Sequence, residues 1–436
     1  MTSVVRGMSW IAIFIGVCVA PLVFALVGAS QPGQGFWTDF SVALGFVGLA
    51  LMGVEFALVA RVRQIAEPFG TDAVIDFHRY IGTTGLIFVL VHVALSADWS
   101  QANPFTPSDT PPLVVVGGVA VAALLLLIVT SVWRRRLRLS YEWWQVLHAV
   151  LAVVAVVAAV VHVLLVDHYV DTAWKRALWV VMAAAFVWVL LWVRVIRPLR
   201  LRRRPWVIHE ARPEADRTTV ITLRPQGHDG MQFAPGQFAW ISIGRSPFLI
   251  TSHPFSFSSS AERSDEVSMA IKAIGDFTSS VAEAQPGTVV HLDGPHGVFS
   301  IDHAEGAGYG LVAGGVGVAP ALSMVETLAD RSDARPVVLF VGARDQDSII
   351  LHERIEALRE RLDLRVVYVL ENPPPGWEGE VGYLDAQIMA RHLPDGYRRF
   401  QYFACGPVPM LKAVEESLVG LGVPGDRVHT ERFDWV

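Results

Sequence analysis

Four histidines in two equally spaced pairs constrain this chain more than any other residues. His78 and His92 lie in one long apolar run and His148 and His162 in another, with thirteen residues between the members of each pair. At about 3.6 residues per turn that separation is just under four turns, so each pair shares a helix face and rises about 21 Å. This is most of a hydrocarbon core roughly 30 Å thick. An imidazole inside a bilayer is costly unless it is ligated or paired, which makes an intramembrane histidine a functional-site candidate. Two such helices side by side offer two coaxial His–His clamps. Each clamp suits a six-coordinate haem iron, whose axial ligands come from opposite sides of the porphyrin. A lone histidine in an apolar helix is more often a hydrogen-bonded packing residue; the spacing repeated in two runs separates the readings.

The chain has 436 residues, 53% of them hydrophobic, too apolar for a single soluble domain, and the apolarity is concentrated before about residue 200. Six runs are long enough to span a bilayer: 9–29, 38–60, 73–96, 112–133, 143–166 and 174–196. The first has the basic flank of a signal peptide in Arg6, but its apolar stretch is longer than such a segment needs, so a retained helix is expected. Positive charge sets the orientation. Arg6, Arg61, Arg63, Arg134–Arg136, Arg138 and the cluster from Arg194 to Arg204 fall on one side; the other has Lys175 and Arg176 but also Asp39, Asp98, Asp109, Asp167 and Asp171. Both termini are therefore expected in the cytoplasm of a cell-membrane protein, with His78 and His148 as the inner pair and His92 and His162 as the outer pair. The Arg cluster abuts a helix end in a chain of net charge −6, so it reads as a topology signal rather than a nucleic-acid site. Glu55 is the odd residue of the second run; it could neutralise Arg79, meet a donor beside a haem, or snorkel. Two cysteines, Cys18 and Cys405, supply neither a disulfide framework nor an iron–sulfur ligand set.

After Pro205 the pattern changes. QFAWISI, VSMAIKAI and TVVHL suggest an antiparallel β-barrel to about Ser300. From about residue 305, strands alternate with helical stretches, as in a doubly wound parallel sheet. The expected domains are 1–204, 205–303 and 304–436. Four motifs follow in order. His253-Pro254-Phe255-Ser256 offers a hydroxyl and an aromatic to a flavin ring. The stretch 272–281, KAIGDFTSSV, begins at Lys272 and carries Gly275, Thr278 and Ser279 at an expected helix N-terminus suited to a pyrophosphate. A strand then runs into Gly314-Gly315-Val316-Gly317-Val318-Ala319-Pro320 and a helix, where glycine admits a dinucleotide to the backbone. Cys405-Gly406-Pro407-Val408-Pro409-Met410 follows another strand end, where open α/β sheets bind ligands. Singly these motifs are weak; their order and setting give them force.

With the paired histidines, they make nearly the whole chain resemble the NADPH oxidase and ferric reductase superfamily. That resemblance implies a six-helix domain holding two b-type haems, fused to a ferredoxin–NADP reductase-like module that binds FAD and NADPH. The terminal ERFDWV resembles the family's aromatic tail, implying Trp435, with Phe433 the alternative, as a ring covering the flavin where nicotinamide enters. Trp435 and Cys405 are the implied residues nearest the chemistry. The implied reaction passes electrons from NADPH through FAD and the two haems to an acceptor outside, because a hydride brings two electrons and a haem accepts one. Arg344, just after the strand VVLFVGA, stands where a 2′-phosphate would be read, so NADPH is expected over NADH. The acceptor is expected to be O2, with a ferric chelate the alternative, and no obligatory protein partner is evident. A reading of another class is a membrane permease or sensor with a nucleotide-binding regulatory domain; it has no use for the duplicated histidine spacing.

Overall fold

The computed structural model describes residues 3–27, 32–60, 62–96, 110–244, 246–248 and 252–432. The chain divides into two compact units, Met1–Pro198 and Leu199–Val436.

Among the described residues of the first unit, six helices are long and apolar enough to cross a membrane. They are Ser3–Leu26, Phe36–Leu58, Thr71–Ser96, Pro112–Val132, Tyr141–Val166 and Ala173–Leu191, the last followed by a π-helical turn at Trp192–Ile196. The valine-rich fifth span would favour strand in water. In lipid, a lone segment satisfies its backbone only as a helix. Ser140 caps that span by accepting from Trp143 N at 3.4 Å, and Pro112 opens the fourth where no N–H is required. The first helix starts at Ser3 rather than near residue 9, because hydropathy marks the apolar stretch and not the end of the backbone ladder. Its Arg6 pairs with Glu67 at 3.3 Å. Ile13, Leu126 and Val181 remain exposed on the helix surfaces, as faces turned to lipid would be.

Glycines set how closely the second and third spans approach. A Cβ at Gly48 would lie 3.1 Å from Val89 and 3.5 Å from the Gly85 carbonyl, and one at Gly85 would lie 3.7 Å from the Gly48 carbonyl. Small residues facing one another let helix backbones pack closely where lipid removes any hydrophobic drive. The fourth and fifth spans meet through Ala123, Leu124 and Ala155. The histidine-bearing third and fifth spans thus each lie against a helix that bears none.

Among its described residues the second unit contains two six-stranded sheets. The first is antiparallel, β1 (Trp206–Glu214), β2 (Thr218–Pro225), β3 (Phe238–Ile243), β4 (His253–Ser256), β5 (Val267–Lys272) and β6 (Val289–His296), in the order β4-β3-β6-β1-β2-β5. It curls until Phe257, just past β4, bridges Met269 of β5, enclosing a core around Trp206, Ile221, Ile241 and Met269. The second is parallel, with β7 (Tyr309–Gly314), β8 (Val337–Ala343), β9 (Leu364–Leu370), β10 (Glu380–Val381), β11 (Gln401–Cys405) and β12 (Val428–Glu431) in the order β10-β9-β8-β7-β11-β12. Helices Val318–Asp330 and His352–Leu358 contribute to the buried cluster on one face and Ala386–His392 and Val408–Gly420 to that on the other. Strand order reverses between β7 and β11, and the crevice outside such a reversal is where open α/β sheets take ligands.

Candidate functional site

The third and fifth spans bring the four histidines together in matching pairs. The rings of His78 and His148 have centres 6.3 Å apart, and those of His92 and His162 are 6.2 Å apart. Each histidine meets the one at the same level of the other span, so the two helices run parallel. An imidazole nitrogen binds a metal at about 2 Å and its ring centre lies about 1.1 Å behind it, so two rings on opposite sides of one iron have centres roughly 6.2 Å apart. Both pairs therefore fit a bis-histidine haem. Among the described residues there is no group of three or more His, Cys, Asp or Glu that could hold a metal ion.

The outward nitrogen of each ring is held by a neighbouring helix. His92 Nδ1 donates to the Ser41 carbonyl at 2.9 Å, and His162 Nδ1 donates to the Leu113 carbonyl at 2.8 Å. A carbonyl only accepts, so Nδ1 carries the proton and Nε2 keeps the lone pair a metal needs. Four residues after each of those carbonyls stands a glycine. A Cβ at Gly45 would lie 3.1 Å from His92 Nδ1, and one at Gly117 would lie 2.9 Å from His162 Nδ1. The two glycines are what let the rings lie against the neighbouring backbone. At the other pair, the Ser131 hydroxyl donates to the Leu127 carbonyl at 2.7 Å and accepts from His148 Nδ1 at 3.1 Å. His78 Nδ1 instead donates to the Glu55 carboxylate. Arg79, an expected partner of Glu55, pairs with Asp76 at 3.3 Å, because a residue three positions away on the same helix is the nearer acid. Ser41, Gly45, Leu113, Gly117 and Ser131 escape a reading of the sequence; the one local signal was glycine inside an apolar helix.

In the parallel sheet, β7 delivers Gly314–Gly317 and β11 delivers Cys405–Pro407 to the two sides of the strand-order reversal, with Ala313 and Cys405 in register. Gly315 has φ +53° and open space around its Cβ position, the left-handed geometry that favours glycine. A side chain on Gly317 would collide with the Cys405 carbonyl, and one on Gly314 would lie 2.7 Å from Met410 Sδ and 3.1 Å from Pro407. Val316 belongs to the short turn, and Pro320 lies in the first turn of the helix that follows. The Cys405 thiol is buried, 1% exposed, so this residue gives the crevice its backbone and the turn into Gly406.

In the barrel, His253, Pro254 and Phe255 lie on β4 with buried Ser256 at its end. The His253 ring stacks on Phe277 at 4.2 Å and Phe255 lies 6.1 Å from the same ring, which joins the first two motifs in one place. The expected helix after Gly275 is only Asp276–Ser280, and Thr278 Oγ1 accepts from Ile274 N and Gly275 N at 2.9 Å each. Ser279 lies in that helix, and Lys272 pairs with Asp216. Arg344 is exposed and bonds Asp345 at 3.0 Å, a contact that pushes its already high pKa upward. Phe433 and Trp435 lie outside the described residues.

Comparison with known proteins gives three family matches: a ferric reductase like transmembrane component over residues 44–159, an FAD-binding domain over 209–299, and an oxidoreductase NAD-binding domain over 311–416. The chain is 32% identical to a stachydrine N-demethylase reductase subunit of Rhizobium meliloti over 51% of its length and 64% of the relative's. It is 31% identical to NADH-cytochrome b5 reductase 1 of Debaryomyces hansenii over 34% of its length and 53% of the relative's. It thus spans between half and two thirds of these curated relatives. A solved FAD/NAD-binding domain of nitric oxide dioxygenase from Vibrio cholerae aligns with 53% of this chain and 98% of that one, at 20% identity and a TM-score of 0.47.

Proposed function

We propose that this NAD(P)H oxidoreductase, which has the domain architecture of the NADPH oxidase and ferric reductase superfamily, moves electrons from NADPH across the cell membrane to O2, with FAD and two b-type haems as resident groups. This architecture supports transmembrane NAD(P)H-linked electron transfer. The observation that supports the two-haem path is the pair of His–His separations, 6.3 and 6.2 Å, at two levels of the same two spans. When bound, FAD divides the hydride pair into single electrons and haem relays them one at a time.

The chain's own residues then have separate tasks. His78 with His148 and His92 with His162 hold the two haems, and Glu55, Ser131, Ser41 and Leu113 fix the tautomer and tilt of the rings. The motif His253–Ser256, with Lys272, Gly275, Thr278 and Ser279 nearby in sequence, takes the flavin nucleotide. Gly314–Gly317, Pro320 and Cys405–Met410 admit the nicotinamide nucleotide, and Trp435 or Phe433 covers the flavin face. Domains at 1–204, 205–303 and 304–436 divide these tasks, with the reductase module and both termini in the cytoplasm and His92/His162 on the outer side.

O2 is favoured by the state of the outer acids among the described residues, Asp98 and Asp109 lying outside them. Asp167 pairs with Arg176, Asp171 with Lys175 at 3.2 Å, and Asp39 accepts from Tyr169 at 2.6 Å. These carboxylates are engaged internally, which suits a small neutral acceptor better than a metal complex. NADPH rests on Arg344. The tie of Arg344 to Asp345, with relatives named for NADH, favours NADH as the second donor. The test is NADPH and NADH oxidation by the intact protein, in air with superoxide dismutase controls and anaerobically with a ferric chelate. A dismutase-sensitive signal supports O2; fast anaerobic iron reduction without that signal in air overturns it.

A further inference from the structure

The four histidine rings are each held from behind, and one of the four holding groups carries a charge. Three of the four rings rest on neutral acceptors: the Ser41 carbonyl, the Leu113 carbonyl and the Ser131 hydroxyl. The fourth, His78, rests on the carboxylate of Glu55. Glu55 is the single acidic residue inside the second span beyond its first turn, and its side chain is only 13% exposed. Its second oxygen, Oε1, has no hydrogen-bond partner among the described residues, and a Cβ at Gly82, one turn beyond His78, would lie 3.2 Å from that oxygen. The third span therefore keeps a glycine where a side chain would crowd the carboxylate, and His78 is its one hydrogen-bond and ion-pair partner among the described residues.

An acid in the apolar part of a membrane helix is expensive, and such residues face the interior of the bundle and act there. A carboxylate behind a ligating histidine makes the imidazole a stronger electron donor. On iron, stronger donation and a nearby negative charge both favour the ferric over the ferrous state and lower the reduction potential. Hydrogen bonding to the far nitrogen of an axial imidazole is one of the protein's levers on a haem potential. The carbonyls behind His92 and His162 supply no such charge.

Resting on the two-haem reading above, we infer that Glu55 is a positioning residue that holds the haem of His78 and His148 at a lower potential than the haem of His92 and His162. The difference makes electron passage from the first pair to the second downhill. Direction is thus set by one buried side chain on a helix that supplies no ligand.

The test is an anaerobic redox titration of the purified full-length protein, reading the b-type haem bands at one fixed pH. The unmodified protein should titrate in two one-electron waves. In Glu55→Gln, which keeps an acceptor but removes the charge, the lower wave should rise by about tenfold in equilibrium constant, about 59 mV for one electron. The upper wave should stay in place. Ser131→Ala, which removes a neutral acceptor from the same pair, should move the lower wave by much less. If Glu55→Gln fails to retain both haems, Glu55→Asp, which keeps the charge, should retain them with the lower wave near its original place. Two retained haems with both waves unmoved in Glu55→Gln, or movement of the upper wave alone, would overturn the role given to Glu55. Loss of haem in Glu55→Asp as in Glu55→Gln would overturn it too. A single wave carrying two haems in the unmodified protein would overturn the potential difference as well, whereas fewer than two haems per chain would instead refute the two-haem reading itself.

Discussion

Replacing Gly117 by alanine adds one methyl group whose place the helix fixes. The new Cβ would lie 2.9 Å from His162 Nδ1 and 3.1 Å from its Cε1, inside the roughly 3.5–4.0 Å at which such atoms pack comfortably. The ring cannot simply withdraw, because its Nδ1 is bonded to the Leu113 carbonyl of the same neighbouring helix at 2.8 Å. Losing that bond costs about 1 kcal/mol, and up to about 3 kcal/mol if the donor is left buried and unpaired. Disturbing the partner behind a metal ligand lowers metal affinity by about 10–100-fold. Helix propensity acts the other way, since alanine exceeds glycine by about 1 kcal/mol in a helix interior. Gly118 isolates that second effect, because a Cβ there meets nothing within 4 Å. In full-length protein, Gly117→Ala should lose one haem to excess apomyoglobin about 10–100-fold faster than the parent, while Gly118→Ala should match it. Gly45→Ala, whose Cβ lies 3.1 Å from His92 Nδ1, should resemble Gly117→Ala. Equal haem retention in Gly117→Ala and Gly118→Ala would refute the reasoning that the glycines seat the rings.

Arg344→Ala should raise KM for NADPH at least tenfold more than KM for NADH, because only NADPH carries the 2′-phosphate; steady-state dye reduction with each donor measures this, and equal losses would remove Arg344 from the site. The Arg335 guanidinium, 2.5 Å from Asp333, holds that carboxyl below its ordinary 3.8. A depressed folded-state pKa stabilises above the unfolded value and the contribution disappears as pH falls through the folded value. Asp333→Asn should therefore destabilise the fold at pH 6 by under about 1 kcal/mol for a partly exposed pair, read as a slightly lower Tm, and the difference should shrink below about pH 3.8; a difference that grows on acidification would contradict the assignment.

What the sequence disclosed depended on range. The six spans and the histidine register follow from hydropathy and a 3.6-residue period, which are local properties, and β7, β8, β9 and β11 announce themselves as short apolar runs between turns. The partners of the histidines were hidden, because Ser41 and Leu113 bond rings 51 and 49 residues away through backbone carbonyls that any residue type possesses. Glu55 was visible as an anomaly, yet its choice of His78 over Arg79 depends on how two helices face each other. β1 was missed because charges such as Glu210 and Arg212 interrupt its alternation on a partly exposed barrel strand. The helix expected to start after Gly275 does so, but ends at Ser280, since Thr278 and Ser279 favour caps and turns as readily as helix interiors.

The proposed electron path needs four histidines holding two haems, and haem stoichiometry reads this out. Purified full-length protein, reduced anaerobically with NADPH, should show b-type bands amounting to two haems per chain. His78→Ala and His148→Ala should each retain only the haem of the second pair, and His92→Ala and His162→Ala only that of the first. Absence of b-type bands from the unmodified protein, or two haems in all four variants, would contradict the account.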